Sequence, residues 1–167
     1  YGLVGSEMCI RDRMEGIAGA LGKQDDVAFY ASESDAFKKR FIRSFFDVRK
    51  GYFTDGLAAD TDHASLHGNM FPLAFDLVPA GKKQNVVDFI QTRGMACSVY
   101  GSQFLMDALY EANDAEYALH MLTKTDDRSW YNMIRVGSTI SLEAWDNKYK
   151  PNQDWNHAWG AAPANII

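Results

Sequence analysis

Residues 29–46 read FYASESDAFKKRFIRSFF. Phe29, Phe37, Phe41 and Phe45 stand eight, four and four positions apart, with Ile42 and Phe46 beside them, while Lys38, Lys39, Arg40 and Arg43 take other positions. Side chains three or four positions apart share one face of an α-helix, whereas a strand alternates every second residue, so this spacing predicts an amphipathic helix. The same reading extends outward. After a short loop with Gly51 and Gly56, Leu66, Met70, Leu73 and Leu77 mark a second stripe, in which Pro72 should kink the helix or lie near its start. Val86, Phe89 and Ile90 predict a third helix closed by Gly94, because glycine takes the left-handed conformation that ends helices. Phe104, Leu105, Ala108 and Leu109 predict a fourth, and Ala115, Ala118, Leu119 and Leu122 a fifth. Short connections between successive helices imply antiparallel helical hairpins, an all-α organisation.

Beyond Asp126 the period fades. Trp130, Tyr131, Gly137, Trp145, Tyr149, Pro151, Trp155 and Trp159 crowd a segment with little helical regularity. Irregular stretches of this length inside a compact domain are usually functional or disordered, and so many aromatic residues argue against disorder. Residues 155–167 read as the start of another helix without a closing cap, which predicts that the chain is cut there.

A length of 167 residues suits one domain with a substantial core. Apolar residues at 47% and charged residues at 23% are ordinary globular values and exclude a disordered or collagen-like chain. The net charge of -5, with no Lys/Arg-rich run to offset it, would repel a phosphate backbone, so neither nucleic acid nor an anionic membrane is expected as a partner. No apolar run approaches the ~20 residues of a membrane-spanning helix. The unusual value is the aromatic content of 13%, since flat rings fill helical cores but also stack on the C–H faces of sugars.

The first thirteen residues read as foreign to the rest. Glu7 to Arg13, EMCIRDR, is what the sequencing-library transposon adaptor gives when translated as GAG ATG TGT ATA AGA GAC AGG. Residues 1–13 are therefore expected to be an artefactual leader, and 14–167 a partial domain truncated at both ends. Removing the leader takes away two acids and two bases, so the acidic balance survives. It also takes Cys9, leaving Cys97 without an intrachain partner and best read as a small buried apolar residue.

His63 and His67 are four apart, the spacing of a zinc pair on a helix. Position 64 is Ala where a metalloprotease needs Glu, and no third ligand is evident. No metal is expected, and Asp62 is read instead as the cap of a helix start. No G-x-S-x-G elbow and no Gly-rich phosphate loop occurs. The strongest signal is Glu143, set among Leu142, Ala144 and Trp145, with Trp155-Asn156-His157-Ala158-Trp159 following. A carboxylate beside aromatic rings can serve as acid or base according to its surroundings, and the plain alternative is a Glu bonded to backbone at a loop.

SWYNMIRVGST (129–139), LEAWD (142–146) and NHAWGAAP (156–163) together resemble the end of the catalytic domain of bacterial α-L-rhamnosidases. HGNMFPLAFDLVP (67–79) and RGMACSVYG (93–101) resemble the same family, so the likeness runs from about Met14 to Ile167. It implies an (α/α)6 toroid of six helical hairpins, of which this chain would form about half, and an inverting hydrolysis with no cofactor. By the same resemblance Glu143 is the general base and His157 bonds the bound rhamnose, while Trp145 and Trp155 stack on the ring, shape the pocket wall or belong to the toroid core. The general acid of the family lies in an Asp/Glu-rich loop nearer the N-terminus that has no counterpart here, so the fragment alone is expected to be inactive. The implied partner is a rhamnose-containing glycan or glycoside; a homo-oligomer of the parent and the compartment stay open, with a periplasmic or extracellular parent favoured. Two alternatives remain: another glycosidase or lyase on the same toroid, and a non-catalytic carbohydrate-binding helical module.

Overall fold

The computed structural model describes the backbone of residues 2–57 and 62–166, with side chains described from Ile10 onward, Asp12 excepted. Helix α1 (Gly2–Ala20) and helix α2 (Gln24–Phe45) form a helical hairpin. Gly22, at φ 70°, makes the reversal: its N–H donates to Gly19 O at 3.1 Å and the Lys23 N–H to Ala18 O at 2.9 Å. These are the paired bonds of a left-handed helix end. Most of α1 falls in the residues set aside as a leader, so the sequence reading has no element there.

The helix expected from the phenylalanine stripe is α2, but the stripe is not a core. None of its residues is fully buried, and Phe29 is 60% exposed. The rings pack along the helix instead, Phe37 on Phe41 at 6.2 Å and Phe41 on Phe45 at 5.1 Å, and Phe41 meets Phe53 at 5.3 Å.

Where a loop is expected there is a small antiparallel hairpin, β1 (Phe46–Asp47) and β2 (Tyr52–Phe53), pairing Phe46 with Phe53 and Asp47 with Tyr52. The buried Asp47 carboxylate accepts the N–H groups of Arg49 and Lys50, and Gly51 at φ 81° closes the turn. Helix α3 (His67–Ala74) follows, and Leu66, Met70, Leu73 and Leu77 are all buried, as their spacing predicts. Pro72 lies inside this helix rather than near its start, and the helix runs only eight residues. Asp76, at φ 52°, ends it, with the Leu77 N–H donating to Pro72 O at 2.8 Å. Leu77 thus belongs to the reversal, not to the helix.

Helix α4 (Lys83–Arg93) ends at Gly94, φ 55°, where the sequence places its cap. The chain divides within α4 into two compact units, residues 1–86 and 87–167. In the second unit α5 (Gly101–Glu111) and α6 (Ala115–Thr123) form another hairpin, reversed at Asn113, φ 62°. Here the expected register of α6 is corrected: Leu119 is exposed, and Ala118 and Met121 are the buried pair. Val99, Leu105, Met106, Ala108, Leu109 and Leu142 are closed off from solvent, each large side chain contributing about 1.5–3 kcal/mol by burial. Cys97 is buried among them, and burial pushes its thiol up to about 12, as a small apolar residue should behave. Helix α7 (Trp130–Arg135), a 3-10 turn (Ala158–Ala161) and α8 (Ala162–Ile166) complete the unit, α8 packing on α5. Among the described residues the fold is all-α apart from the small hairpin.

Candidate functional site

The irregular segment is held from both ends. Ser129 caps α7, its Oγ accepting the Asn132 N–H at 3.0 Å, and Gly137 at φ 95° turns the chain out of that helix. Residues 141–143 then lie alongside 154–157. The His157 N–H donates to Ser141 O at 2.9 Å, Ser141 Oγ donates to His157 O at 2.7 Å, and the Glu143 N–H donates to Asp154 O at 3.0 Å. The 3-10 turn comes against this pair so closely that a Cβ on Gly160 would stand 2.6 Å from Ser141 Cβ, a distance real Cβ atoms do not reach.

Between the two segments, residues 144–153 form a braced loop. The Gln153 side chain is buried, accepting the Ala144 N–H at 2.9 Å and donating to Asn147 Oδ1 at 2.8 Å. Asn132, wholly buried on α7, donates to Trp145 O at 3.0 Å and to Asp146 Oδ2 at 2.9 Å. The Asn132 amide, then the Lys148 N–H, hold the Asp146 carboxyl below the usual carboxylate range. Trp145 is only 3% exposed: its Nε1–H donates to Cys97 O at 2.8 Å, and its ring meets Trp130 edge to face at 5.0 Å. Of the roles expected for Trp145 the core position is the one this chain displays, with no ring face open for stacking. Trp155 is 41% exposed.

On this frame the Glu143 side chain is 19% exposed. One oxygen, Oε1, pairs with the Lys150 ammonium; the other, Oε2, accepts the Asp154 N–H at 3.0 Å. The Lys150 ammonium foremost, then the Asp154 N–H, hold the Glu143 carboxyl below the usual carboxylate range, and His157 adds a smaller pull in the same direction. Asp154 also reaches the imidazole, its Oδ2 lying 3.4 Å from His157 Nδ1. His157 in turn packs on Trp159 at 4.0 Å. Glu143 and His157, fourteen positions apart in sequence, are thereby tied to one residue. Chemically this is an ionised, partly sheltered carboxylate beside an imidazole whose Nε2 edge is free of the Asp154 contact, a pair suited to moving a proton and bonding a hydroxyl. Sequence reasoning misses Lys150, Gln153 and Asp154, since residues 143–154 are not helical and spacing along them does not signal contact.

The histidine pair of the first unit behaves otherwise. His63 precedes α3, so the helical spacing that would align it with His67 does not apply. His63 Nδ1 lies 2.5 Å from Asp55 Oδ2, and Asp55 Oδ1 accepts from Ser65 Oγ at 2.7 Å. Asp62 is not the cap: it pairs with Lys50 at 2.6 Å, and Ser65 Oγ takes the Gly68 N–H at 3.0 Å instead. Among the described residues no group of three or more His, Cys, Asp or Glu side chains could hold a metal ion.

Residues 8–167 match the family model described as the bacterial alpha-L-rhamnosidase 6 hairpin glycosidase domain. The match begins within the residues read as a leader. Five chains of solved structures match as well. One is the structure of alpha-L-rhamnosidase from Dictyoglumus thermophilum, with a TM-score of 0.74 and 22% identity over 89% of this chain. The present chain spans 17% of that chain's length, and at this identity the likeness shows the fold. No curated protein matches.

Proposed function

The chain belongs to the bacterial alpha-L-rhamnosidase 6 hairpin glycosidase domain family, and from that premise we propose that it is part of a glycoside hydrolase releasing terminal α-L-rhamnose with inversion at the anomeric carbon. An inverting centre sets two carboxyl groups about 6.5–9.5 Å apart, one protonating the leaving oxygen and one drawing a proton from a water on the opposite face of the sugar. In this reading Glu143 is the base that takes the water's proton. His157 hydrogen-bonds a rhamnose hydroxyl, Trp155 offers a ring face for the sugar's C–H groups, and Trp145 shapes the wall from within the core. The acid comes from residues outside this chain, and residues 1–13 are not part of the working protein. Without the acid the 167-residue chain does not turn over by itself.

The observation that carries the reading is the state of Glu143. A general base must be ionised and fixed within reach of its water: this carboxylate, 19% exposed, meets the Lys150 ammonium through Oε1 and the Asp154 N–H through Oε2, contacts that favour its ionised form, and Asp154 also meets His157. The test is the intact protein on a panel of aryl glycosides, with and without Glu143→Gln. Cleavage of the α-L-rhamnoside alone is expected, and the substitution should lower kcat by about 10²–10⁴-fold or more, as the loss of a general catalyst does. Unchanged turnover would favour a carbohydrate-binding module, and cleavage of a different glycoside would move the substrate.

A further inference from the structure

The second contact of Glu143 comes from a lysine that is not a free surface side chain. Lys150 stands at the far end of the braced loop, seven residues from Glu143. Its carbonyl accepts the Gln153 N–H at 3.1 Å, and Gln153 reaches back to the Ala144 N–H beside Glu143. The loop is fixed again at its middle, where Asn132 holds Trp145 and Asp146. Lys148, the nearest other lysine in sequence, is turned to Asp127. The charged groups about Glu143 are therefore Lys150, the Asp154 residue whose carboxylate faces His157, and His157 itself.

We propose that Lys150 is a positioning residue of this site: its ammonium on Oε1, with the Asp154 N–H on Oε2, holds the Glu143 carboxylate in one orientation and leaves each oxygen a lone pair for a water. The inference rests on the reading of Glu143 as general base. Stability does not explain the pair, since an ion pair with a half-exposed lysine contributes little to folding. Its effect is on protonation: the base works only when ionised, so activity is lost as pH falls through its pKa, and a neighbouring cation moves that loss to lower pH.

The test is the acid limb of the kcat/KM pH profile of the intact protein, measured for Lys150→Met, Lys150→Gln and Lys150→Arg. The two neutral variants should move the limb to higher pH, and the Arg variant should keep it near its original position. A uniform fall in rate with the limb unmoved would make Lys150 structural and overturn the proposal, as would no change at all. Glu143→Gln separates the two layers: if it abolishes turnover while the neutral lysine variants leave the limb in place, the lysine inference alone fails. If it leaves turnover intact, the base reading fails and takes the inference with it.

Discussion

Asn69 shows how one buried side chain completes an element too small to stand alone. It is wholly buried on α3; its Oδ1 accepts the Phe53 N–H at 2.9 Å and its Nδ2 donates to Phe53 O at 3.0 Å and to Ser65 O at 3.0 Å. A two-stranded hairpin leaves one edge of each strand unpaired, and this amide takes the place of a third strand for β2. Asn69→Leu keeps the volume but orphans buried backbone groups of Phe53, each costing about 1–3 kcal/mol. The urea midpoint of the variant should fall accordingly, and an unmoved midpoint would show that the amide is dispensable. Asn132 uses the same device in the second unit, holding Trp145 and Asp146, so a buried amide stands behind the candidate base as well.

At the scale of elements, the site depends on the 3-10 turn pressing on the segment that carries Glu143. Gly160 admits this contact, because a Cβ there would meet Ser141 Cβ at 2.6 Å and Leu142 O at 2.9 Å. Gly160→Ala must push residues 141–143 and the turn apart. A displacement of that kind near reacting groups can cost up to about 10²-fold in rate. The kcat of the intact variant should therefore fall while circular dichroism keeps its helical signal; full activity would mean that the turn does not hold the carboxylate in place. The elements themselves were largely legible in the sequence. Leu66, Met70 and Leu73, or Phe104 to Leu109, repeat at helical spacing because one face is buried, and Gly94 stands at a helix end, whereas α7 with its Ser129 cap lies where the sequence shows little helical regularity. In α6 the same signal misleads, since Leu119 fits the period yet is exposed while Met121 takes the core. His63 and His67 fail for a related reason, as their spacing has meaning only if one helix contains both. Around Glu143 the resemblance named Glu143 and His157 as candidates, but not the residues that hold them. Lys150 and Asp154 arrive seven and eleven residues later through a loop whose course is set by Trp145 in the core, and in a loop that is not helical such spacings do not announce the return.

For the molecule as a whole, the decisive feature is apolar surface left without cover. Phe29, Ile17 and Leu21 lie exposed on the α1 and α2 hairpin, and no residue of α2 is fully buried. Rings stacked along one helix shelter each other only in part, and apolar side chains left in water favour association. The net charge of -5 opposes this, but screening at physiological salt limits repulsion to about 8 Å. The 167-residue chain by itself is accordingly expected to self-associate, with a light-scattering mass above 18.8 kDa that rises with concentration. Phe29→Lys with Leu21→Lys should lower that mass toward the monomer, since both positions are exposed and each substitution replaces apolar area with charge. A sharp monomer of the unsubstituted chain would refute the expectation. A mass unaffected by the double substitution would place the association on another face, because the two sites would then take no part in it.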